Sequence, residues 1–285
     1  MIPVFFSEKM NAVIASQSPS AGKPAQVVAA WKQLGIPLEF HEQEPVTLDE
    51  LYAAHDKTFV DDVLACRRAN GFNNHSPDVA NSLPYTSGAM LSAARHVLQN
   101  HIPFAAAPCS GFHHAEHNAA MGFCTFNGLM ITACALRKEY PSLKVGILDF
   151  DMHYGNGTDD IIRVLNAHDW VTHFTAGEHF LLPEQAPKFF AQLPQIMSKM
   201  AGCDIILYQA GADPHIDDPF GGWLTTEQLR ERDRVVFRFF RKLGIPVVWN
   251  LAGGYQREPD GSIPKVLKIH NNTMIECDAA LNPNS

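Results

Sequence analysis

Residues 145–157 read VGILDFDMHYGNG, an apolar run that ends abruptly in two carboxylates and an imidazole. Asp149, Asp151 and His153 alternate with Phe150 and Met152. In an extended chain, side chains two residues apart lie on the same face, so the three polar groups share one face. The stretch therefore predicts a strand whose end can hold a divalent metal. Taken alone, it is equally typical of a helix cap followed by a polar loop.

The rest of the chain alternates short apolar segments with helical ones. Besides the segment that begins at residue 145, strands are predicted at residues 1–7, 37–40, 102–107, 171–174, 204–208 and 246–249. Helices are predicted at residues 25–34, 47–70, 87–99, 127–140, 158–165, 187–200 and 225–244, and a loop at 71–83. This alternation is typical of the α/β class, with a mainly parallel sheet covered by helices on both faces. We expect a single domain over residues 1–285.

Composition excludes several classes of function. The formal net charge is -8 and the lysines and arginines form no run, so no nucleic-acid partner is expected. No apolar run reaches the length of a membrane span and the N-terminus lacks the basic start of a secretory signal, which predicts a cytoplasmic protein without a membrane partner. The six cysteines show no paired spacing, which argues against a disulfide framework or a thiolate zinc finger.

Polar loops follow four of the apolar segments, at residues 111–114, 149–153, 211–215 and 253–255. In parallel sheets, ligands bind beyond the carboxyl ends of the strands, so all four loops are expected at one edge. Asp151, His153 and Asp213 then supply the oxygen and nitrogen ligands of a catalytic zinc that keeps one position open. The predicted site is therefore catalytic rather than structural.

Two further groups in these loops have catalytic chemistry. The adjacent His113 and His114 can supply a general base, although such a pair alone is more typical of a polar loop. Tyr255 follows two glycines that allow close approach of the backbone, so its phenol can donate a hydrogen bond to a developing oxyanion. The alternative for Tyr255 is an ordinary interface tyrosine.

Five motifs, in this order, resemble those of the zinc-dependent histone deacetylase family in the arginase/deacetylase superfamily: GFHHAE at 111–116, MGFCTFN at 121–127, DFDMHYGNGT at 149–158, GADPH at 211–215 and LAGGY at 251–255. The resemblance covers roughly residues 50–260 and is closest to class II-like or bacterial members. It implies a three-layer α/β/α, arginase-like fold with a central, mainly parallel, eight-stranded sheet. It also implies hydrolysis of an acetyl amide on a lysine-like amine, with release of acetate.

The resemblance assigns roles to individual residues. The implied zinc ligands are Asp151, His153 and Asp213, and the implied catalytic groups are His113, His114, Tyr255, Asp149 and Asn156. The residues implied to contact substrate are Gly122, Phe123, Phe180, Phe220, Gly253 and Gly254, with Phe123 and Phe180 as the two aromatic walls of a narrow tunnel. A structural potassium ion beside Asp149 is also implied.

Asn156 stands where some family members carry an aspartate. If His113 pairs with Asp149 and His114 with Asn156, the carboxylate raises the pKa of His113, whereas the neutral amide leaves that of His114 closer to its ordinary value. His114 is then predicted to be the general base, and His113 to stay mainly cationic.

Other functions remain open. A deacetylase of acetylated polyamines or other small amides is the main alternative to an acetyl-lysine peptide or protein as substrate, although Phe220 at the predicted rim disfavours a cationic substrate. A binuclear-manganese ureohydrolase would require an Asp-x-His-x-Asp pattern in place of Asp-x-Asp-x-His. A non-enzymatic binding module would not need Tyr255.

The neighbours of the site are expected to have minor roles. Asp217 and Asp218 are expected to face solvent. Three histidines are expected to lie at the rim or behind the ligands: His117, His179 and His215. Cys109 and Cys124 are expected to form at most a redox pair. The oligomeric state is left open.

Overall fold

A computed structural model describes residues 1–282 and contains one sheet in the order β2-β1-β3-β7-β6-β4-β5. All neighbouring strands are parallel. The strands are β1 Ile2–Phe5, β2 Leu38–His41, β3 Phe104–Ala107, β4 Val145–Asp149, β5 Val171–Thr175, β6 Ile205–Gly211 and β7 Val247–Ala252. The described residues thus form seven strands. The strand count of eight that the resemblance implies is wrong, because the sequence contains only seven apolar segments of strand character.

Helices cover both faces of the sheet. They are α1 Lys23–Trp31, α2 Leu48–Tyr52, α3 Lys57–Leu64, α4 Pro77–Asn100, α5 Gly128–Glu139, α6 Asn156–Val164, α7 Ala186–Ser198, α8 Thr226–Leu243 and α9 Pro264–Leu281. Helices α1, α7, α8 and α9 bury apolar side chains in one core cluster, and α2 to α6 bury theirs in a second. Successive residues of β7 alternate between the clusters, with Trp249 in the first and Val248 in the second. The three-layer α/β/α prediction is therefore confirmed.

The helix predicted over 47–70 is divided in two. Thr47 caps α2 through a capping box, as its sequence predicts. Asp56 then caps a new helix, because its side chain accepts the N–H of Phe59 at 2.9 Å. A carboxylate that bonds the nearby backbone favours a helix start over a helix interior, which explains the interruption.

The loop predicted over 71–83 is partly helical. Helix α4 begins at Pro77, where a missing N–H costs no hydrogen bond, and it continues through Pro84. Helix α9, which also starts at a proline, was not predicted. Residues 283–285 of the predicted domain lie outside the described residues. None of the helices within 1–282 combines the length and the apolar character that a membrane span requires.

The central strands bring the four polar loops together. Strands β3, β7, β6 and β4 are neighbours in that order, and all run in the same direction. Their carboxyl ends therefore lie side by side along one edge of the sheet, as the sequence predicts.

Candidate metal and catalytic site

Three side chains converge where β4 and β6 end. Asp151 and His153 follow β4, and Asp213 follows β6. The Nδ1 atom of His153 lies 3.2 Å from Oδ1 of Asp151 and 3.0 Å from Oδ2 of Asp213. One ligand atom from each residue lies within 4.8 Å of the others. The structure therefore brings the three predicted metal ligands together.

The chemistry of this set fits a divalent cation. Asp151 and Asp213 are both buried, whereas the side chain of His153 is 35% exposed. Burial, and next the nearby Asp151 carboxylate, raises the pKa of Asp213. Hydrogen bonds that the His153 ring donates to Asp151 and Asp213 in turn raise the pKa of His153 to about 11. Two buried carboxylates thus strongly favour a positive charge between them, and the His153 side of the cluster is partly exposed. This matches the donors and the open position of catalytic zinc sites.

The histidine pair lies beside these ligands and makes two different hydrogen bonds. His113 Nδ1 is 2.7 Å from Asp149 Oδ2, and His114 Nδ1 is 2.7 Å from Asn156 Oδ1. Although burial opposes it, the carboxylates of Asp149 and Asp151 raise the pKa of His113 to about 9. Burial, and then the charge of His113, lowers the pKa of His114 to about 4. The predicted order of the two pKa values is confirmed. The pKa of His114, however, lies further below its ordinary value than the neutral amide of Asn156 alone suggested.

The Asn156 side chain fixes the tautomer of His114. Its Nδ2 donates to Oε1 of Glu116 at 3.1 Å, so the oxygen of the amide must face His114. That oxygen only accepts hydrogen bonds, so Nδ1 of His114 carries the hydrogen. In neutral His114 the other ring nitrogen, Nε2, is then an unprotonated base.

The Asp149 carboxylate is fully buried and connects His113 to the metal loop. Its Oδ1 atom accepts the N–H of Asp151 at 3.1 Å and the side-chain N–H of Gln209 at 3.3 Å. Asp149 therefore orients His113 and the start of the loop that carries two of the predicted ligands.

Tyr255 follows two glycines in left-handed conformations, Gly253 with φ +51° and Gly254 with φ +86°. A Cβ on Gly253 would lie 2.1 Å from Cγ of Asp213, so only glycine allows the backbone to pass this carboxylate. Burial, and then the charge of Asp213, raises the pKa of Tyr255 well above its ordinary value. The phenol is therefore neutral and available as a donor.

Three aromatic rings meet near the histidine pair. The ring of Phe123 lies 5.7 Å from that of Tyr255 and 6.4 Å from that of Phe220, and the rings of Phe220 and Tyr255 are 4.7 Å apart. Phe220 is 44% exposed, as expected of a rim residue. A Cβ on Gly122 would lie 2.5 Å from His114, which shows how closely the Phe123 loop covers the histidine. These rings form the aromatic mouth, defined here as Phe123, Phe220 and Tyr255.

Phe180 does not belong to the aromatic mouth. It is 2% exposed and its ring packs against Trp223 at 5.6 Å and Phe189 at 5.2 Å. The prediction that Phe180 forms the second tunnel wall is wrong, because this apolar ring is part of the core under α7. The next residue, Leu181, is 52% exposed.

Two charged residues near the site differ from what the sequence predicts: Lys23 was not predicted there, and Asp218 was expected to face solvent. Lys23 is fully buried, its Nζ donates to the carbonyl oxygen of Gly253, and burial lowers its pKa to about 8. Asp218 is 6% exposed, so the prediction that it faces solvent is wrong. Its carboxylate turns inward because it accepts the N–H groups of Tyr255 and Phe220. Contacts between residues this far apart in the chain leave no local sequence signal.

The remaining neighbours have supporting positions. His215 is buried behind the site, where Nδ1 lies 3.0 Å from the side-chain nitrogen of Gln256. Cys109 and Cys124 are buried free thiols, and burial raises the pKa of both. Both thiols are free, and the redox pair considered from the sequence stays a prediction.

Comparisons with known proteins agree with this geometry. The histone deacetylase domain family matches residues 19–179 and 184–270. Histone deacetylase 18 of Arabidopsis thaliana is 33% identical over 151 residues, which cover 40% of this chain and 22% of that protein. The chain thus spans about a fifth of the length of this plant relative. A probable deacetylase of Methanothermobacter thermautotrophicus is 25% identical over 276 residues and covers 85% of this chain and 82% of its own.

The fold also has a solved counterpart. The crystal structure of an acetylpolyamine aminohydrolase from Burkholderia pseudomallei superposes with a TM-score of 0.73 and covers 98% of this chain and 99% of its own. The sequence identity is 18%, so this likeness concerns the fold alone. The family match, in contrast, extends over most of the chain and includes every loop of the site. The chain therefore belongs to the histone deacetylase domain family.

Proposed function

We propose that this protein is a zinc-dependent deacetylase that hydrolyses the acetyl amide of a lysine-like amine and releases acetate. The observation that carries the proposal is the juxtaposition of the Asp151, His153 and Asp213 cluster with two histidines that have different partners. A binding module would need a metal pocket but not a neutral base beside it. Membership of the histone deacetylase domain family supports the same reaction.

Asp151, His153 and Asp213 would hold the zinc ion. When bound, Zn²⁺ polarises the amide carbonyl and lowers the pKa of a water molecule towards about 7. A structural potassium ion beside Asp149 is part of the proposal, and it is supported by the full burial of that carboxylate. Potassium is expected to stabilise the loop without taking part in the reaction.

The protein's own groups move the protons. A water oxygen attacks the acetyl carbon while Nε2 of His114 accepts the proton of the water. His113 remains cationic and stabilises the negative charge that develops on the former carbonyl oxygen, to which the Tyr255 phenol donates a hydrogen bond. The carbon–nitrogen bond then breaks, and His114 gives its proton to the leaving amine. The tautomer fixed by Asn156 supports this assignment.

An acetylated polyamine is the second candidate substrate. The likeness in fold to an acetylpolyamine aminohydrolase is the observation in its favour. Against it, the residue at the exposed rim is the uncharged Phe220, so the aromatic mouth offers apolar surface and no carboxylate at that position. We therefore favour an acetyl-lysine side chain on a peptide or protein, and the ratio of kcat/KM for the two substrates distinguishes the candidates.

We further propose that residues 1–285 act as one deacetylase domain, since the sheet takes strands from residue 2 to residue 252. A cytoplasmic location is proposed as well. It is supported by six free thiols, as is usual in reducing compartments.

The Tyr255→Phe variant tests the proposed reaction. Loss of the phenolic hydroxyl removes one donor to the oxyanion and keeps the ring that packs on Phe220, so kcat is expected to fall by about 10² to 10³-fold. Acetate release from an acetyl-lysine peptide measures the effect. Unimpaired turnover would contradict the oxyanion role. The Tyr154→Phe variant is the control, because the exposed phenol of this tyrosine donates to Asp159 rather than to any side chain of the site.

A further inference from the structure

The position of Tyr255 is not set by regular structure. Strand β7 ends at Ala252 and α9 begins only at Pro264. The two residues before Tyr255 are glycines, whose backbone is the least restricted of all residues. A phenol that must reach a substrate oxygen within hydrogen-bond distance therefore needs other contacts to hold it.

One buried carboxylate supplies such a contact. Oδ2 of Asp218 accepts the N–H of Tyr255 at 2.8 Å, and Oδ1 of the same group accepts the N–H of Phe220 at 3.1 Å. Asp218 is 6% exposed. Within residues 1–282 it forms no ion pair, in contrast to its neighbour Asp217, which lies 3.9 Å from Lys265.

A buried carboxylate without a cation is costly, because it loses the solvation of its charge. Two backbone N–H groups only partly replace that solvation. Substitution by a smaller apolar residue would remove this desolvation cost. Stability alone is therefore a weak explanation for the presence of a buried carboxylate at this position. A role in arranging the groups that it bonds is a stronger one.

Both bonds lead to the aromatic mouth. Tyr255 and Phe220 lie on different loops, one after β7 and the other after β6, yet their rings pack edge to face at 4.7 Å and 87°. Asp218 lies on the loop after β6 and bonds the backbone of both residues, so it connects the two loops. Movement of this carboxylate would displace the phenol and the rim together.

We propose that Asp218 is a positioning residue that holds the Tyr255 backbone so that the phenol reaches the acyl oxygen of the substrate. The inference rests on the proposed deacetylase function. The hydrogen bonds of the Asp218 carboxylate go to the backbone of Phe220 and Tyr255 and not to a predicted metal ligand. Its whole effect on turnover is expected to pass through Tyr255.

The test is a double-mutant cycle of Asp218→Asn and Tyr255→Phe. Asparagine keeps the size of the side chain but replaces one acceptor oxygen by an NH₂ group that faces an N–H donor. We expect kcat of the single variant to fall by about 10 to 10²-fold, as for a misplaced catalytic group, with KM almost unchanged. In the Tyr255→Phe background, Asp218→Asn is expected to lower kcat by less than about threefold, because the effects of substituting two residues that act as a unit are not additive.

The control is Asp217→Asn, which makes the same chemical change one residue earlier at an exposed side chain. We expect it to leave kcat and KM unchanged. Equal losses from Asp218→Asn in both backgrounds, or no loss in the wild-type background, would overturn the proposal. If Asp218→Asn does not fold, Asp218→Glu is taken through the same cycle and judged by the same two outcomes.

Backbone hydrogen exchange gives a readout that does not depend on activity. The Tyr255 amide is expected to exchange at least about tenfold faster in Asp218→Ala than in the wild type, because it loses its acceptor, and to be unchanged in Asp217→Ala. Unchanged exchange in Asp218→Ala would overturn the proposal even if turnover fell. Absence of turnover in the wild-type protein would refute the proposed function, whereas the exchange result would still decide whether Asp218 holds Tyr255.

Discussion

Replacement of Asp213 by Asn is expected to lower turnover by at least about 10³-fold and to remove most of the bound zinc. The amide keeps the shape of the side chain but loses the charge that, with Asp151, favours a cation at this position. Loss of the metal removes its polarisation of the carbonyl, which stabilises the transition state by several kcal/mol. A loss of about 4 kcal/mol corresponds to a decrease of about 10³-fold in rate. Metal content and acetate release from the same preparation measure both effects.

The same substitution at Asp204 is the control. Asp204 precedes β6, at the opposite end of the strand from Asp213, and is exposed. Its carboxylate oxygen accepts the N–H of Lys144 at 2.7 Å, and an asparagine oxygen can accept the same bond. Asp204→Asn is therefore expected to keep its zinc and its turnover. If Asp213→Asn also kept both, Asp213 would not be a metal ligand.

The second large effect is expected at His114. Substitution by Ala removes the base that accepts the proton of the water, which costs about 10² to 10⁴-fold in kcat for general acid–base catalysis. The pKa of His114 lies near 4, so the imidazole is neutral and able to accept a proton at neutral pH. His113→Ala is expected to cost less, because the raised pKa of His113 makes that residue a cation rather than a base.

The comparison of the two alanine variants distinguishes the roles. Steady-state kinetics with an acetyl-lysine peptide give kcat for each, and His168→Ala, at an exposed imidazole beyond the far end of α6, serves as control. If His113→Ala abolished turnover while His114→Ala kept most of it, the assignment would be reversed. A loss of zinc from either variant would show that the effect is indirect, so metal content is measured in parallel.

The sequence was sufficient to predict the convergence of the site. Parallel strands place all their carboxyl ends at one edge, so the loops that carry Asp151 and Asp213 had to be near each other once β4 and β6 were neighbours. The pairing of His113 with Asp149 and of His114 with Asn156 was a condition in the sequence analysis, and the structure shows both hydrogen bonds. The size of the pKa difference did not follow from the sequence, because burial and the charge of His113 both lower the pKa of His114.

Other features could not be predicted from local pattern. Lys23 contacts the carbonyl of Gly253, 230 residues away, and Asp218 contacts Tyr255, 37 residues away. A lysine in the first turn of a helix and an aspartate before a proline are both typical of exposed positions, so neither reveals its burial. Phe180 shows a different limit. It lies outside the five motifs that carry the resemblance, and its ring packs against Trp223 in the core.

Secondary structure was hardest to predict where a single residue changes the hydrogen bonds available to the backbone. Asp56 starts a new helix inside a segment whose apolar pattern is continuous, and Pro77 starts α4 inside a segment that reads as a loop. In both cases one hydrogen bond or one missing N–H moves a helix boundary by several residues without changing the sheet. The site is unaffected, because its residues follow strands rather than these helices.

The central claim is that this chain releases acetate from an acetylated amine by means of a metal held by Asp151, His153 and Asp213. The most direct measurement is acetate release by the purified protein before chelation, after chelation and after addition of Zn²⁺, with an acetyl-lysine peptide and an acetylated polyamine as parallel substrates. We predict that chelation abolishes turnover, that zinc restores it, and that kcat/KM is higher for the peptide. Acetate release that is unaffected by chelation, or the absence of release from both substrates by the zinc-loaded protein, would contradict it.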